Sequence, residues 1–274
     1  MSRQALLLNL CKHVAIWLVS LTIMVPLLLI LLNSVKTQGE AASMSFAWPR
    51  KWMLSNYAEV IQAGKLVRSF GNSLYYAVVS VVLGIIVCSM AAFVLSRRRT
   101  RLNRFIYYFI VLGIAMPVNH IALIKVMQFL NLMNTGIGLG LLYTALQVPF
   151  SVFLIYGFVS SVPRELDEAG AIDGCEGFRL FFLVIFPLLT PVVATVMLLN
   201  FLAAWNEFVF PLYYLNSSAL WPMTLEVYNF FGRYESQWNL VCGNIVLTSL
   251  PVVIAYLLGQ RYIVAGMTAG SVKG

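Results

Sequence analysis

Apolar residues run in long blocks along this chain, and polar residues gather in the gaps between them. A block of about 20 apolar residues is long enough to cross a hydrocarbon core of ~30 Å as an α-helix. Six such spans are read from the pattern, at 14–32, 70–95, 105–132, 140–159, 188–211 and 243–262. The short alternating strands of a membrane barrel are not the pattern. The first block follows Arg3, Lys12 and His13 and precedes no small-x-small cleavage site, which predicts a spanning helix with a cytoplasmic N-terminus. Pro26 and Pro117 are expected as kinks inside their spans, and His120, beside Pro117, as a helix-packing residue.

The gaps orient the spans. Arg97, Arg98, Arg99, Arg101 and Arg104 fall within eight residues that contain no acid, which places this loop in the cytoplasm, where it can also meet anionic lipid. Residues 33–69 read as an external loop with a short helix near Asn56 to Val60, and Trp48 and Trp52 as interfacial anchors or loop packing. Residues 131–138 form a short turn, and 216–239 an external loop rich in aromatics. The apolar run from Phe181 to Leu215 would be roughly 52 Å of straight helix, too long for one crossing. Pro187 and Pro191 divide it, leaving Phe181 and Phe182 along the membrane surface. No internal repeat is visible, so an inverted-repeat carrier gains no support.

Composition agrees with an all-α integral membrane protein: 61% of residues are hydrophobic and 10% charged, against about 25% charged in soluble domains. The net charge of +8 does not indicate nucleic acid, because the basic residues cluster at the ends of apolar runs. Four widely spaced cysteines give no disulfide framework or metal spacing. Gly64-Lys65 is followed by Leu66, so no phosphate-cradling G-x-x-x-x-G-K-[ST] loop exists, nor does HExxH or GxSxG. Catalysis by this chain alone is not indicated, and no cofactor is expected in it.

One polar stretch stands out. Five of the ten acidic residues (Glu165, Asp167, Glu168, Asp173 and Glu176) lie between the fourth and fifth spans. Pro163 suits a first helical turn, the acids favour the positive end of the helix dipole, and Gly174 suits a left-handed exit. A helix of about ten residues follows, with Leu166, Ala169 and Ile172 on one narrow apolar side. A second helix is expected near Glu176, with Phe178, Phe181 and Phe182 packed on the ends of the spans. Ala169, Gly170 and Ala171 leave a flank almost without side chains, which another protein's surface can approach closely.

Glu168-Ala169-Gly170-x-x-Asp173-Gly174-Cys175, followed by Phe178, Ile185, Pro187 and Pro191, resembles the E-A-A-x-x-D-G-A loop of permease subunits in bacterial ATP-binding-cassette importers. Trp205-Asn206-Glu207-Phe208-x-x-Pro211-Leu212 and the terminal Gly266-Met267-Thr268-Ala269-Gly270-Ser271-Val272-Lys273-Gly274 resemble the carbohydrate-uptake branch, specifically the smaller permease of maltose-type systems. Gly170 and Cys175 stand where that family usually has Ala, and Phe186 where it usually has Leu.

The resemblance implies a type I importer-permease fold of six transmembrane helices in a bacterial inner membrane, with both termini cytoplasmic and a coupling helix within 163–187. It implies a homologous second permease, an ATPase dimer that binds ATP and Mg, an external solute-binding protein, and a sugar or oligosaccharide as cargo. Glu168, Ala169, Gly170, Asp173, Gly174 and Cys175 would meet the ATPase. The tail 263–274 would reach into the ATPase interface through Thr268, Ala269, Gly270 and Lys273, its glycines fitting an extended, closely packed segment, with a frayed terminus as the alternative that composition alone offers. Trp205, Asn206, Glu207 and Tyr213 are translocation-pathway candidates, since an ionisable group within a span usually faces a cavity or a partner. A structural hydrogen-bonding role for Glu207, and interfacial anchoring for Trp205, Tyr213 and Tyr214, stand beside that reading. The resemblance also implies that the second permease holds most sugar contacts in some systems. Import of another solute, such as a polyamine or organic anion, is the alternative; a channel or scaffold without ATP would leave the acidic loop without purpose.

Overall fold

The computed structural model describes residues 3–98, 100–232 and 236–269. In chain order its helices are α1 (Arg3–Ser34), α2 (Gln38–Ala41), α3 (Ser55–Ala63), α4 (Leu66–Arg97), α5 (Arg101–Leu112), α6 (His120–Phe129) and α7 (Gly136–Val159). They continue with α8 (Glu165–Ile172), α9 (Gly177–Leu180), a π-helical turn (Phe181–Ile185), α10 (Phe186–Leu188), α11 (Thr190–Asn206), α12 (Val209–Tyr214), α13 (Met223–Glu226) and α14 (Trp238–Ala269). Contacts divide the chain into two compact units, Met1–Val67 with Glu226–Leu250, and Arg68–Leu225 with Pro251–Gly274.

In the first unit, buried polar groups hold the loop after α1. The Lys36 ammonium donates to Asn33 Oδ1 at 3.0 Å and to the Ser45 carbonyl and hydroxyl at 2.6 and 3.3 Å. That matches the three donors of an ammonium, which is how a buried lysine is tolerated. Asn56 donates to the carbonyls of Ser34 and Lys36 and accepts from Asn239 on α14. The expected short helix is α3. Trp48 and Trp52 are exposed and tilted against each other, with ring centroids 6.2 Å apart.

In the second unit, one apolar core joins α4, α7 and α11 with the π turn: Ile85, Cys88, Val152, Ile155, Ile185 and Val196 are buried together. Gly140 lets α7 approach α4, since a Cβ there would meet Val79 Cγ1 at 2.7 Å. A second cluster gathers Tyr76, Leu139, Tyr143 and Tyr214.

Two expectations about the spans need correcting. The third block is not one kinked helix: α5 stops at Leu112, α6 starts at His120, and residues 113–119 between them are not helical. Asn119 caps α6 by accepting the Ala122 N–H at 3.0 Å, so the chain restarts a helix and does not bend through Pro117. The fifth block is helical from Thr190 to Asn206, and the helix before it, Gly177–Leu188, meets it at 81°. Pro191 cannot donate to the Pro187 carbonyl, and the Thr190 hydroxyl does so at 2.6 Å. Lys12–Ser34, Leu66–Arg97, Gly136–Val159 and Trp238–Arg261 are each long and apolar enough to cross a membrane, and the bent pair makes a fifth candidate.

Candidate functional site

The acidic stretch folds as the sequence suggests, but it is attached differently. Its helix, α8, has eight residues with Glu165, Asp167 and Glu168 in the first turn. Its end is a Schellman turn: the Cys175 N–H donates to the Gly170 carbonyl at 2.9 Å and the Gly174 N–H to the Ala171 carbonyl at 3.0 Å. Gly174 takes φ +77°, which costs a glycine little. Gly177 takes φ +55° before α9 begins.

Asp167 fixes α8 to the end of α4. Arg97 Nη2 donates to Asp167 Oδ1 at 3.0 Å and Nε lies 2.6 Å from Oδ2, an ion pair with side chains 12% and 19% exposed. Arg97 Nη1 also donates to the Val162 carbonyl at 3.0 Å, and Arg164 returns a bond to the Arg97 carbonyl at 3.2 Å. The Ser96 and Ser160 hydroxyls lie 3.1 Å apart beside this clamp. From the sequence, Glu168 and Asp173 are expected to meet the ATPase and Asp167 only to favour the helix dipole. The available signal was that the basic run and the acidic run lie in one compartment.

Gly170 does not belong to the open flank. It is buried, and a Cβ on it would meet Leu180 Cδ1 at 2.6 Å and Val184 Cγ2 at 3.2 Å, so it seats α8 on the helix that follows. Ala169, Ala171, Glu168, Asp173 and Gly174 are exposed, and Cys175 is half-buried. The expected apolar side is not packed on this chain either: Ile172 is 87% and Phe178 69% exposed. Between α4 and the π turn lies an apolar slot of about 280 Å³, walled by Met90, Phe93, Phe178 and Phe181 with Arg97 and Arg98 beside them.

A larger cavity, about 470 Å³, opens where helices are interrupted. Gly113, Ile114, Met116 and Val118, from the break between α5 and α6, form one wall. Tyr143, Gln147 and Pro149 of α7 and Ala203, Glu207 and Phe210 around the end of α11 form the others. Non-helical backbone at membrane depth is tolerated where it lines a cavity. Glu207 Oε1 accepts the backbone N–H groups of Phe208, Val209 and Phe210 at 3.0, 2.8 and 3.2 Å, capping α12. Gln147 donates to the Asn200 carbonyl at 3.1 Å, and Asn200 donates to the Ser151 hydroxyl at 3.0 Å.

Of the four pathway candidates, Glu207 lines this cavity. Trp205 is 1% exposed, wedged between Phe70 and Phe201 at 5.6 and 5.5 Å, and is neither a stacking platform nor an anchor. Asn206 is exposed and donates to the Leu202 carbonyl of its own helix at 2.9 Å. Tyr213 is exposed with its ring 5.7 Å from His120, which also packs on Phe210 at 5.1 Å. Tyr143, Gln147 and the 113–118 segment were missed. In the tail, α14 remains helical through Thr268 and Ala269, correcting the extended reading there, because an isolated glycine such as Gly266 costs a helix only about 1 kcal/mol. Gly270 and Lys273 lie outside the described residues. Among the described residues no group of three or more metal-ligating side chains forms.

Comparison with known proteins gives a consistent pattern. Residues 80–268 match the family model of binding-protein-dependent transport system inner membrane components. The chain is 38% identical over 265 residues to a protein of Caldicellulosiruptor sp. assigned as an ABC transporter permease, covering 95% of this chain and 94% of that one. It is 32% identical to the diacetylchitobiose uptake system permease of Streptomyces coelicolor, covering 96% and 88%. Its fold matches a chain from a bacterial ABC transporter involved in import of the acidic polysaccharide alginate, with TM-score 0.84, 22% identity and coverage of 96% and 98%.

Proposed function

Since the chain belongs to the family of binding-protein-dependent transport system inner membrane components, we propose that it is one of two permeases in an ATP-driven importer of a sugar or oligosaccharide. The carbohydrate assignment is supported by the diacetylchitobiose permease among its relatives and by the Trp205-to-Leu212 and terminal motifs. It forms the translocation pathway with a homologous permease in a bacterial inner membrane. A solute-binding protein delivers cargo from outside, and an ATPase dimer, which binds the ATP and Mg, works from the cytoplasm. Family members are membrane subunits and not catalysts, so energy arrives by contact.

That contact is α8 with its Schellman turn. Ala169, Ala171, Ile172 and Phe178, flanked by Glu168, Asp173, Gly174 and Cys175, meet the ATPase, while Gly170 seats the helix from behind. Thr268, Ala269, Gly270 and Lys273 form a second contact. Closure of the ATPase dimer pushes α8, and the Arg97–Asp167 clamp passes the displacement to α4 as a rigid body. Six crossings keep both termini cytoplasmic if α5 with α6 counts as a broken third span and the bent pair as the fifth.

The observation that carries the reading is an apolar side chain, Ile172, left 87% exposed on a helix clamped to a span. Ile172→Asp changes nothing packed within this chain. In the reconstituted complex it should leave membrane insertion intact, release the ATPase on purification and abolish ATP-dependent uptake. Full uptake with the ATPase still bound would sink the coupling assignment.

A further inference from the structure

We propose that Glu207 is the cavity's acceptor for solute hydroxyls and makes the pathway favour uncharged, hydroxyl-rich solutes over anionic ones. The inference rests on the importer reading above and narrows its substrate class. Among the described residues that line the cavity, Glu207 carries the only charge. Its position is imposed: Oε1 is committed to the N–H groups of Phe208, Val209 and Phe210, and the Thr224 hydroxyl donates to the Glu207 carbonyl at 2.9 Å. Oε2 is not part of this cap. A carboxylate oxygen only accepts, and a hydroxyl donor meeting it makes a charge-assisted bond about twice as strong as a neutral one.

The remaining wall suits the other half of a sugar's surface. Ile114, Met116, Val118, Leu146 and Phe150 present apolar faces to ring C–H groups, and the volume of about 470 Å³ lies in the usual range for small-molecule sites. The interrupted helices leave their non-helical backbone lining this cavity, the setting in which such backbone is tolerated at membrane depth. An anionic solute in the same place meets the Glu207 carboxylate at close range and is disfavoured by like-charge repulsion.

The test separates the cap from the solute contact. In proteoliposomes holding the whole complex, uptake is measured for maltose, raffinose and N,N′-diacetylchitobiose, and the best of these is carried forward. Glu207→Gln keeps an oxygen for the cap and replaces the second acceptor with an amide donor. It should raise KM for the neutral sugar by about ten- to a hundredfold. The kcat/KM ratio of the matching uronate to that neutral sugar should rise at least about tenfold in Glu207→Gln, a comparison in which the binding protein's own preference cancels. A purely structural cap predicts that Glu207→Gln behaves as wild type while Glu207→Ala fails, and that result overturns the inference. As a check that does not depend on Glu207 variants, saturating sugar should slow alkylation of a thiol introduced by Ala203→Cys; no slowing also overturns it. Failure of wild type to take up any of the three sugars refutes the sugar reading itself.

Discussion

Neighbouring residues in the acidic stretch take different parts because a helix separates them by 100° each. Asp167 turns toward α4 and into the Arg97 fork, Glu168 turns outward, and Gly170 turns back onto Leu180. Removing one charge of a half-buried, hydrogen-bonded pair costs on the order of 1.5–3 kcal/mol. Asp167→Asn should therefore loosen α8 without unfolding the chain, since Arg97 keeps the Val162 carbonyl. Faster amide hydrogen exchange across 165–172 and slower uptake with the ATPase still bound are the expected outcome; unchanged exchange would show that the clamp bears no load. The acid-rich composition and the glycine exit were legible in the sequence, whereas the facing of each side chain was not. Facing depends on where α8 starts, and capping signals fix that only to within a residue or two.

Hydropathy located the apolar blocks because burial in lipid needs only length and composition, but it was blind to their interruptions. Pro26, Pro149 and Pro251 all sit inside continuous helices, while Pro117 lies in a break, so proline by itself does not discriminate. What marks the break is the combination of Gly113 at the end of α5, Pro117, and the Asn119 cap on α6. The break is also a packing device. A Cβ at Gly113 would lie 2.8 Å from Pro149 Cγ and 3.0 Å from the Ile110 carbonyl, so any larger residue must push the break away from α7. Overpacking of this kind costs about 1–3 kcal/mol. Gly113→Val should lower the melting temperature in detergent and reduce solute uptake by deforming the cavity wall, yet leave α8 and ATPase binding untouched. Wild-type uptake in a destabilised Gly113→Val protein would mean that the cavity is not on the pathway. The cavity itself was hard to foresee for the same reason: its wall is assembled from helix ends as far apart in sequence as Gly113 and Glu207, and of its lining only Glu207 announced itself as an acidic group in an apolar block.

At the scale of the whole molecule, the number of crossings turns on α5 and α6. With 12 and 10 residues, neither helix spans ~30 Å alone, but end to end they offer about 33 Å of helix. A broken crossing is therefore long enough, and so is a re-entrant loop that enters and leaves on one side. The proposed topology requires the crossing: the basic residues Arg98, Arg101 and Arg104 are expected to hold the start of α5 in the cytoplasm, and α8, which follows α7, carries the contact proposed for a cytoplasmic ATPase. Only an even number of crossings between these two features returns the chain to the same side, and α7 supplies one, so α5 and α6 together must supply the other. Leu102 and Gln128 are both exposed, near the start of α5 and the end of α6. Thiols introduced by Leu102→Cys and Gln128→Cys should react with a membrane-impermeant maleimide from opposite sides, Leu102→Cys in inverted vesicles and Gln128→Cys in right-side-out ones. If both react from the cytoplasmic side, the pair is re-entrant, α8 would then lie outside, and the ATPase contact would fall with the six-span topology.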